Sequence, residues 1–193
     1  AAPRVVGRFD LPGTAQIARI DFQGRYAYLA DTDFGLRVLD LGDPTNAVQT
    51  GSFYEQSSMF SVSVRGNLCL LSGAYGSDLL DVTQPGNPVR VGTNNIAGTL
   101  DWLQPPLALG SGPDGIQVFD LVNFTSPLLI GQFAGGYSAV TVQGRYAFAA
   151  GDEAGLTILD LGSAFGTPPS ILERVANLRV VAGVSTNLFA AAG

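Results

Sequence analysis

The chain alternates apolar and polar positions in short runs, parted by clusters of glycine, proline, asparagine and aspartate. Alternation at period two marks strands with two distinct faces. It is plainest in Tyr26-Ala27-Tyr28-Leu29-Ala30 and returns almost letter for letter in Tyr146-Ala147-Phe148-Ala149-Ala150. Both runs are entered through Gln-Gly-Arg, at 23–25 and 143–145, a tight hairpin whose glycine can take positive φ; Arg65-Gly66-Asn67 is the second copy's version. A further run, Gly35-Leu36-Arg37-Val38-Leu39-Asp40-Leu41, returns over 76–82, 115–121 and 155–161. No segment of ten or more residues sustains a helical period.

The aspartates of that run, Asp40, Asp81, Asp120 and Asp160, follow one another at steps of 41, 39 and 40 residues. That is the period of a propeller blade. In the first copy four strands are predicted: a over 15–22, b over 25–31, c over 35–41 and d over 48–53. Strand d recurs at Val89–Gly92 and Leu128–Phe133, after c-to-d links rich in turn formers at 43–46, 84–88 and 123–127. The fourth link is longer, through Ser163–Pro169. In the third copy Gln104-Pro105-Pro106 replaces the hairpin glycine, and proline donates nothing to a ladder, so that hairpin is expected to be wider and less regular.

The predicted fold is all-β, one domain over 1–193: a β-propeller of four-stranded antiparallel blades, partial at about four and a half repeats of about 40 residues. A β-sandwich is the alternative, but it does not demand the same four strands at a fixed period. Repeats run approximately over 10–53, 54–92, 93–133 and 134–172. An incomplete fifth covers 173–193, with strand a at Leu178–Ala182 and strand b at Asn187–Ala192. Residues 4–9 read as an orphan outer strand of type d, expected to pair outside its own repeat. The rest of a larger propeller, or a second copy, is expected to complete the fold, because unpaired strand edges are avoided in native sheets. Leu39, Leu80, Phe119 and Leu159 are expected to pack between adjacent blades.

The combination Gly-x-Tyr-Ala-Tyr-Leu-Ala-Asp, Gly-Leu-Arg-Val-Leu-Asp-Leu, Asp-Pro and Val-x-x-Gly-Ser-Phe resembles the LVIVD repeat family, β-propeller repeats of bacterial and archaeal proteins that are often exported or surface-associated. The resemblance is strongest at 5–53 and 128–161 and weakest around 99–106. It implies a propeller in an extracellular, periplasmic or cell-surface setting, and it carries over no catalytic residues.

Composition narrows the chemistry. A net charge of -6 argues against nucleic acid, whose binding rests on Lys and Arg. No apolar run reaches the roughly 18–20 residues of a membrane-spanning helix. The chain has no histidine and one cysteine, Cys69, which removes Ser-His-Asp and Cys-His mechanisms and thiolate metal clusters. Cys69 lies among leucines and reads as a buried thiol. The repeated aspartates fall in separate blades, so they are read as turn residues that accept backbone N–H groups.

Binding residues are expected in the b-to-c and d-to-a connections, which share one rim: Asp31, Asp33, Phe34, Tyr54, Tyr75, Asp114, Tyr137, Asp152 and Glu153. Asp31-x-Asp33 offers oxygen ligands that could suit Ca²⁺, but without the dense spacing of an EF-hand loop, so no cofactor is expected. The function expected is a non-catalytic interaction or scaffold module for a protein or glycan. The alternatives are a propeller hydrolase or lyase using rim carboxylates, and a Ca-stabilised structural propeller. The inner strands, carrying Ile17, Val62, Val140 and Val180, are expected to have small or apolar neighbours, which disfavours the enzyme.

Overall fold

A computed structural model describes residues 2–11, 13, 15–55, 58–112, 114–137, 139–151, 155–161 and 170–175. Four antiparallel four-stranded sheets form the blades of a β-propeller, each paired in simple sequence order. The first holds β1 (Ile17–Gln23), β2 (Tyr26–Asp31), β3 (Gly35–Asp40) and β4 (Val48–Tyr54). The second holds β5 (Met59–Arg65), β6 (Leu68–Gly73), β7 (Ser77–Asp81) and β8 (Val89–Asn94). β9 (Thr99–Gln104), β10 (Leu107–Gly112), β11 (Gly115–Asp120) and β12 (Leu128–Phe133) make the third. The fourth is β13 (Ala139–Gln143), β14 (Tyr146–Gly151), β15 (Gly155–Asp160) and β16 (Ser170–Val175). The first strands of successive blades touch, β1 on β5 and β5 on β9, which makes them the inner strands.

The repeated letters have local causes. In three blades the a-to-b hairpin is a two-residue turn whose glycine, Gly24, Gly66 or Gly144, sits near φ +60°, where other residues are strained. Gly35 opens strand c against strand d so closely that a Cβ there would lie 2.6 Å from the Phe53 carbonyl oxygen. Each c-to-d pairing slips by one residue at the same place, between Val38/Leu39, Leu79/Leu80, Val118/Phe119 and Ile158/Leu159, a bulge in the outer strand that every blade repeats.

Three expectations need amending. The proline hairpin of the third blade is no wider than the others: Pro105-Pro106, joined by a cis bond, make the two-residue turn, and only the register after Leu107 is irregular. The Pro106 carbonyl accepts the N–H of Leu121, as Arg25, Asn67 and Arg145 accept from Leu41, Val82 and Leu161. The fourth repeat runs past 172: residues 173–175, expected in an incomplete fifth, are the end of β16, the outer strand of the fourth sheet. Residues 4–9 form no strand. The strands expected at Leu178–Ala182 and Asn187–Ala192 lie outside the described residues, as does the link 163–169.

Apolar faces meet between blades. One cluster joins Tyr28, Leu36 and Val38 to Val62, Val64 and Leu80 across blades one and two. Leu70 with Leu100, Trp102 and Phe119 joins two and three, and Leu109 and Val118 with Ala147 and Leu159 joins three and four. Cys69 is fully buried in the first cluster, and burial pushes its thiol well above the ordinary range.

Candidate functional site

The b-to-c turns and the d-to-a connections meet on one rim, stitched by backbone bonds such as Glu55 N–H to the Phe34 carbonyl at 2.8 Å and Gly98 N–H to that of Gly73 at 2.9 Å. On the first blade Asp31 is fully buried at the end of β2. Its Oδ2 accepts from Arg37 Nε at 2.6 Å, and Oδ1 accepts the backbone N–H groups of Asp33 at 3.1 Å and Gln16 at 3.3 Å. Burial works to raise the Asp31 pKa, but the bond from Arg37 and the two backbone donors overcome it and hold the carboxyl below its ordinary value. The Arg37 guanidinium lies 4.2 Å from the centroid of Phe34, which meets Tyr54 edge-on at 5.2 Å. Asp31 is thus the support of this rim, with Phe34 and the exposed Tyr54 and Asp33 outside it.

On the second blade the matching place on strand c holds Asp78, also buried. Arg90 Nε on strand d lies 3.0 Å from its Oδ1, and the same guanidinium pairs with Glu55 at the end of the first blade and covers the Phe53 ring at 4.9 Å. Burial pushes the Asp78 carboxyl above its ordinary range against a hydrogen bond from Thr93; Arg90, shared with Glu55, does not reverse the direction. Glu55, Met59, Tyr75, Asp78, Arg90 and Asn95 line a cleft of about 170 Å³. Tyr75 stands 79% exposed and Tyr54 58%.

The other expected rim residues do not join this cluster. Asp114 is exposed on the third blade, where its backbone carbonyl accepts from Gln132. Tyr137 is buried between blades three and four, its hydroxyl 3.4 Å from Thr157 Oγ1 and its ring 6.0 Å from that of Phe133. Asp152 and Glu153 lie outside the described residues. Asp40, Asp81 and Asp120 each accept a backbone N–H two residues on, from Gly42, Thr83 and Val122, all at 2.8 Å, and Asp40 and Asp160 also pair with Arg25 and Arg145. No group of three or more Cys, Asp or Glu placed to hold a metal occurs among the described residues.

Arg37, Asp78 and Arg90 were not picked out from sequence. For Arg37 and Asp78 the signal is present: superposing the four c strands stacks Arg37, Asp78, Gln117 and Thr157 in one column, a polar slot inside an otherwise apolar run. The inner strands likewise depart from the expected apolar character. Arg19 reaches Asp101 at 2.6 Å and Ser61 at 3.3 Å, tying three blades together beside an opening of about 370 Å³ that Arg65, Trp102 and Val140 also line. Among the described residues the buried Trp102 Nε1 finds no hydrogen-bond partner.

The LVIVD repeat model matches residues 13–54 and 134–169, the first and fourth blades. No curated protein sequence matches the chain. Among 205 solved chains of similar structure is the computationally designed Ika8 protein, at 10% identity and a TM-score of 0.56, covering 74% of this chain and 45% of that one. At that identity the likeness speaks to fold alone, and the chain spans under half of that relative. Among the described residues no helix is long and apolar enough to cross a membrane.

Proposed function

We propose that this chain, a β-propeller module carrying LVIVD repeats, is a non-catalytic interaction module of the exported or cell-surface kind, holding a protein or glycan partner on the rim of its first two blades. The observation that carries the reading is Tyr75, 79% exposed beside a cleft whose floor is fixed by the Asp78–Arg90–Glu55 pairing. A large exposed aromatic contributes nothing to the fold and offers contact area at little entropy cost, which is what binding surfaces select. The cleft has room for one side chain or one sugar unit rather than for an enclosed small ligand.

The hydrolase reading draws less support. Two carboxylates do approach one another here, but Glu55 and Asp78 share one guanidinium, whereas an acid and a base for glycoside cleavage need opposite protonation states across a substrate-sized gap. The module reading needs no cofactor.

The test is capture of partners by the immobilised chain from extracellular material and on a glycan array, with Tyr75→Ala/Asn95→Ala compared against Val122→Ala. Val122 is as exposed as Tyr75 but stands on the c-to-d link, away from this rim. Loss of a captured partner by at least tenfold in the double variant alone is expected. Equal capture by both variants would move the binding surface elsewhere.

A further inference from the structure

The open flank of the first blade has the makings of an interface between blades. In blades two and three the strand-a residues that face the preceding blade are buried: Val62 at 0% and Trp102 at 4% exposure, with Val64 and Leu100 equally hidden. Their counterparts in the first blade, Ile20 and Phe22, stand 48% and 59% exposed. Backbone groups follow the same rule. The Val64 N–H donates to Asp21 Oδ2 on the inner strand before it at 2.7 Å, and the Trp102 N–H to Ser63 Oγ at 3.1 Å. The matching N–H of Phe22 turns to Asp21 Oδ1 of its own strand.

Residues 4–9 occupy the place of an outer strand belonging to a blade before the first. In strand d of blades one and two a glycine lies against the c-to-d link of the blade that follows. A Cβ on Gly51 would come 2.2 Å from the Pro85 carbonyl oxygen of blade two, and one on Gly92 would come 3.0 Å from Phe124 of blade three. Gly7 repeats the relation one blade earlier, 2.1 Å from the Pro44 carbonyl oxygen of blade one. Pro3 stands four residues before Gly7, as Pro88 and Pro127 stand four before Gly92 and Gly131. The buried leucine of strand c agrees. Leu80, Phe119 and Leu159 pack against the blade before theirs, while Leu39, among the described residues, packs with Phe9 and Leu11 of this segment and with its own blade.

We propose that this flank docks strands a, b and c of a further repeat of the same type, with residues 4–9 as its fourth strand. The occupant is specified by the contacts left open. Its c strand, of the form Gly-x-x-x-x-Asp, would pair with residues 4–9. Its a strand would present an oxygen acceptor, in the place of Asp21 or Ser63, to the Phe22 N–H. Its apolar face would cover Ile20 and Phe22.

The test supplies the missing strands. A copy of residues 93–126 is joined directly before Pro3, which reproduces the natural entry Ser126-Pro127-x-x-x-Gly131 as Ser126-Pro3-x-x-x-Gly7. Exchange of the backbone N–H groups of Val5 to Phe9 is expected to slow at least tenfold relative to the 193-residue chain. Phe22→Glu is expected to abolish that slowing while leaving the unfused chain folded. A copy of residues 54–87, which enters through Asn87-Pro88 in the same register, provides a second fusion should the first not fold. Unchanged exchange in the folded fusion overturns the proposal. So does a concentration-dependent dimer of the unfused chain that Phe22→Glu breaks, which would make a second copy the occupant. Protection already present in the unfused chain and lost on deleting residues 176–193 overturns it as well.

Discussion

The first two blades solve one problem with opposite charges. Each has a buried polar slot on strand c three residues before the repeated aspartate, filled by Arg37 in one and Asp78 in the other. Blade one neutralises its slot from strand b, through Asp31. Blade two cannot, because the place of Asp31 is taken by Gly73, where a Cβ would come 2.2 Å from the Ser58 carbonyl oxygen. Its counter-charge arrives instead from strand d, as Arg90 opposite Leu80, where blade one has Gln49 opposite Leu39. The repeat therefore preserves a neutral slot and leaves the identity and origin of the charges free. The Asp31–Arg37 pair is private to its blade and sealed. Arg90 is partly exposed and shared with Glu55, so it couples the two blades at the surface where we place the partner.

The largest effect should come from breaking the sealed pair. Arg37→Met leaves Asp31 buried without its counter-charge and should cost about 3–5 kcal/mol in denaturant unfolding. Arg37→Met/Asp31→Leu should recover much of that loss, and a double variant no more stable than the single would show that the pair is not a private unit. Next comes the packing of the shared leucine. Leu80→Ala opens a cavity between two complete blades and should cost about 2–5 kcal/mol. Leu39→Ala, covered by a single segment that can collapse inward, should fall at the low end of that range, and equal losses would argue that residues 9–11 pack as well as a blade does. Arg90→Met should cost less, about 1–3 kcal/mol, because water reaches the partly exposed guanidinium and the buried Asp78 left behind, its pKa already raised, takes up a proton more readily than Asp31. A loss as large as that of Arg37→Met would erase the distinction between the two blades.

Architecture was legible because it is carried by letters that recur for backbone reasons. The glycines of the hairpins and of the strand-c entry, the aspartate that receives the N–H two residues on, and the period of about 40 all state local geometry, and local geometry survives in sequence. The site was legible only in outline. Tyr54, Tyr75 and Phe34 stand on the rim where loop placement puts them, but Asp31 and Tyr137 carry surface-like letters and are buried, because an arginine six residues on and a threonine of β15 supply their partners. Such pairings depend on which face of which strand meets which neighbour, and a one-residue bulge shifts that face. The segment 4–9 is d-like in letters yet forms no ladder, since a strand is defined by its neighbour as much as by its own residues.

The subtlest expected difference between the blades is in acid. Asp31 has its folded pKa held below the ordinary value near 4, so it contributes stability that is present above about pH 4 and lost as pH falls through the folded value. Asp78 runs the other way. Its folded pKa is raised by burial, so its contribution is full below about pH 4 and declines as pH rises through the folded value. In thermal melts between pH 3 and pH 6.5 the two therefore oppose each other. Asp31→Asn should flatten the fall in Tm on the acid side. It should do so only in part, because Asp40, Asp43 and Asp81 are also held low by their turn hydrogen bonds. Asp78→Asn should steepen the same curve by removing the opposing contribution, whatever it does to Tm at a single pH. The comparison rests on slopes rather than levels, so the general destabilisation expected of Asp31→Asn does not obscure it. Curves for both variants running parallel to that of the unaltered chain would show that the two buried carboxyls do not titrate in opposite senses, and the contrast between a sealed pair and a shared one would lose its electrostatic half.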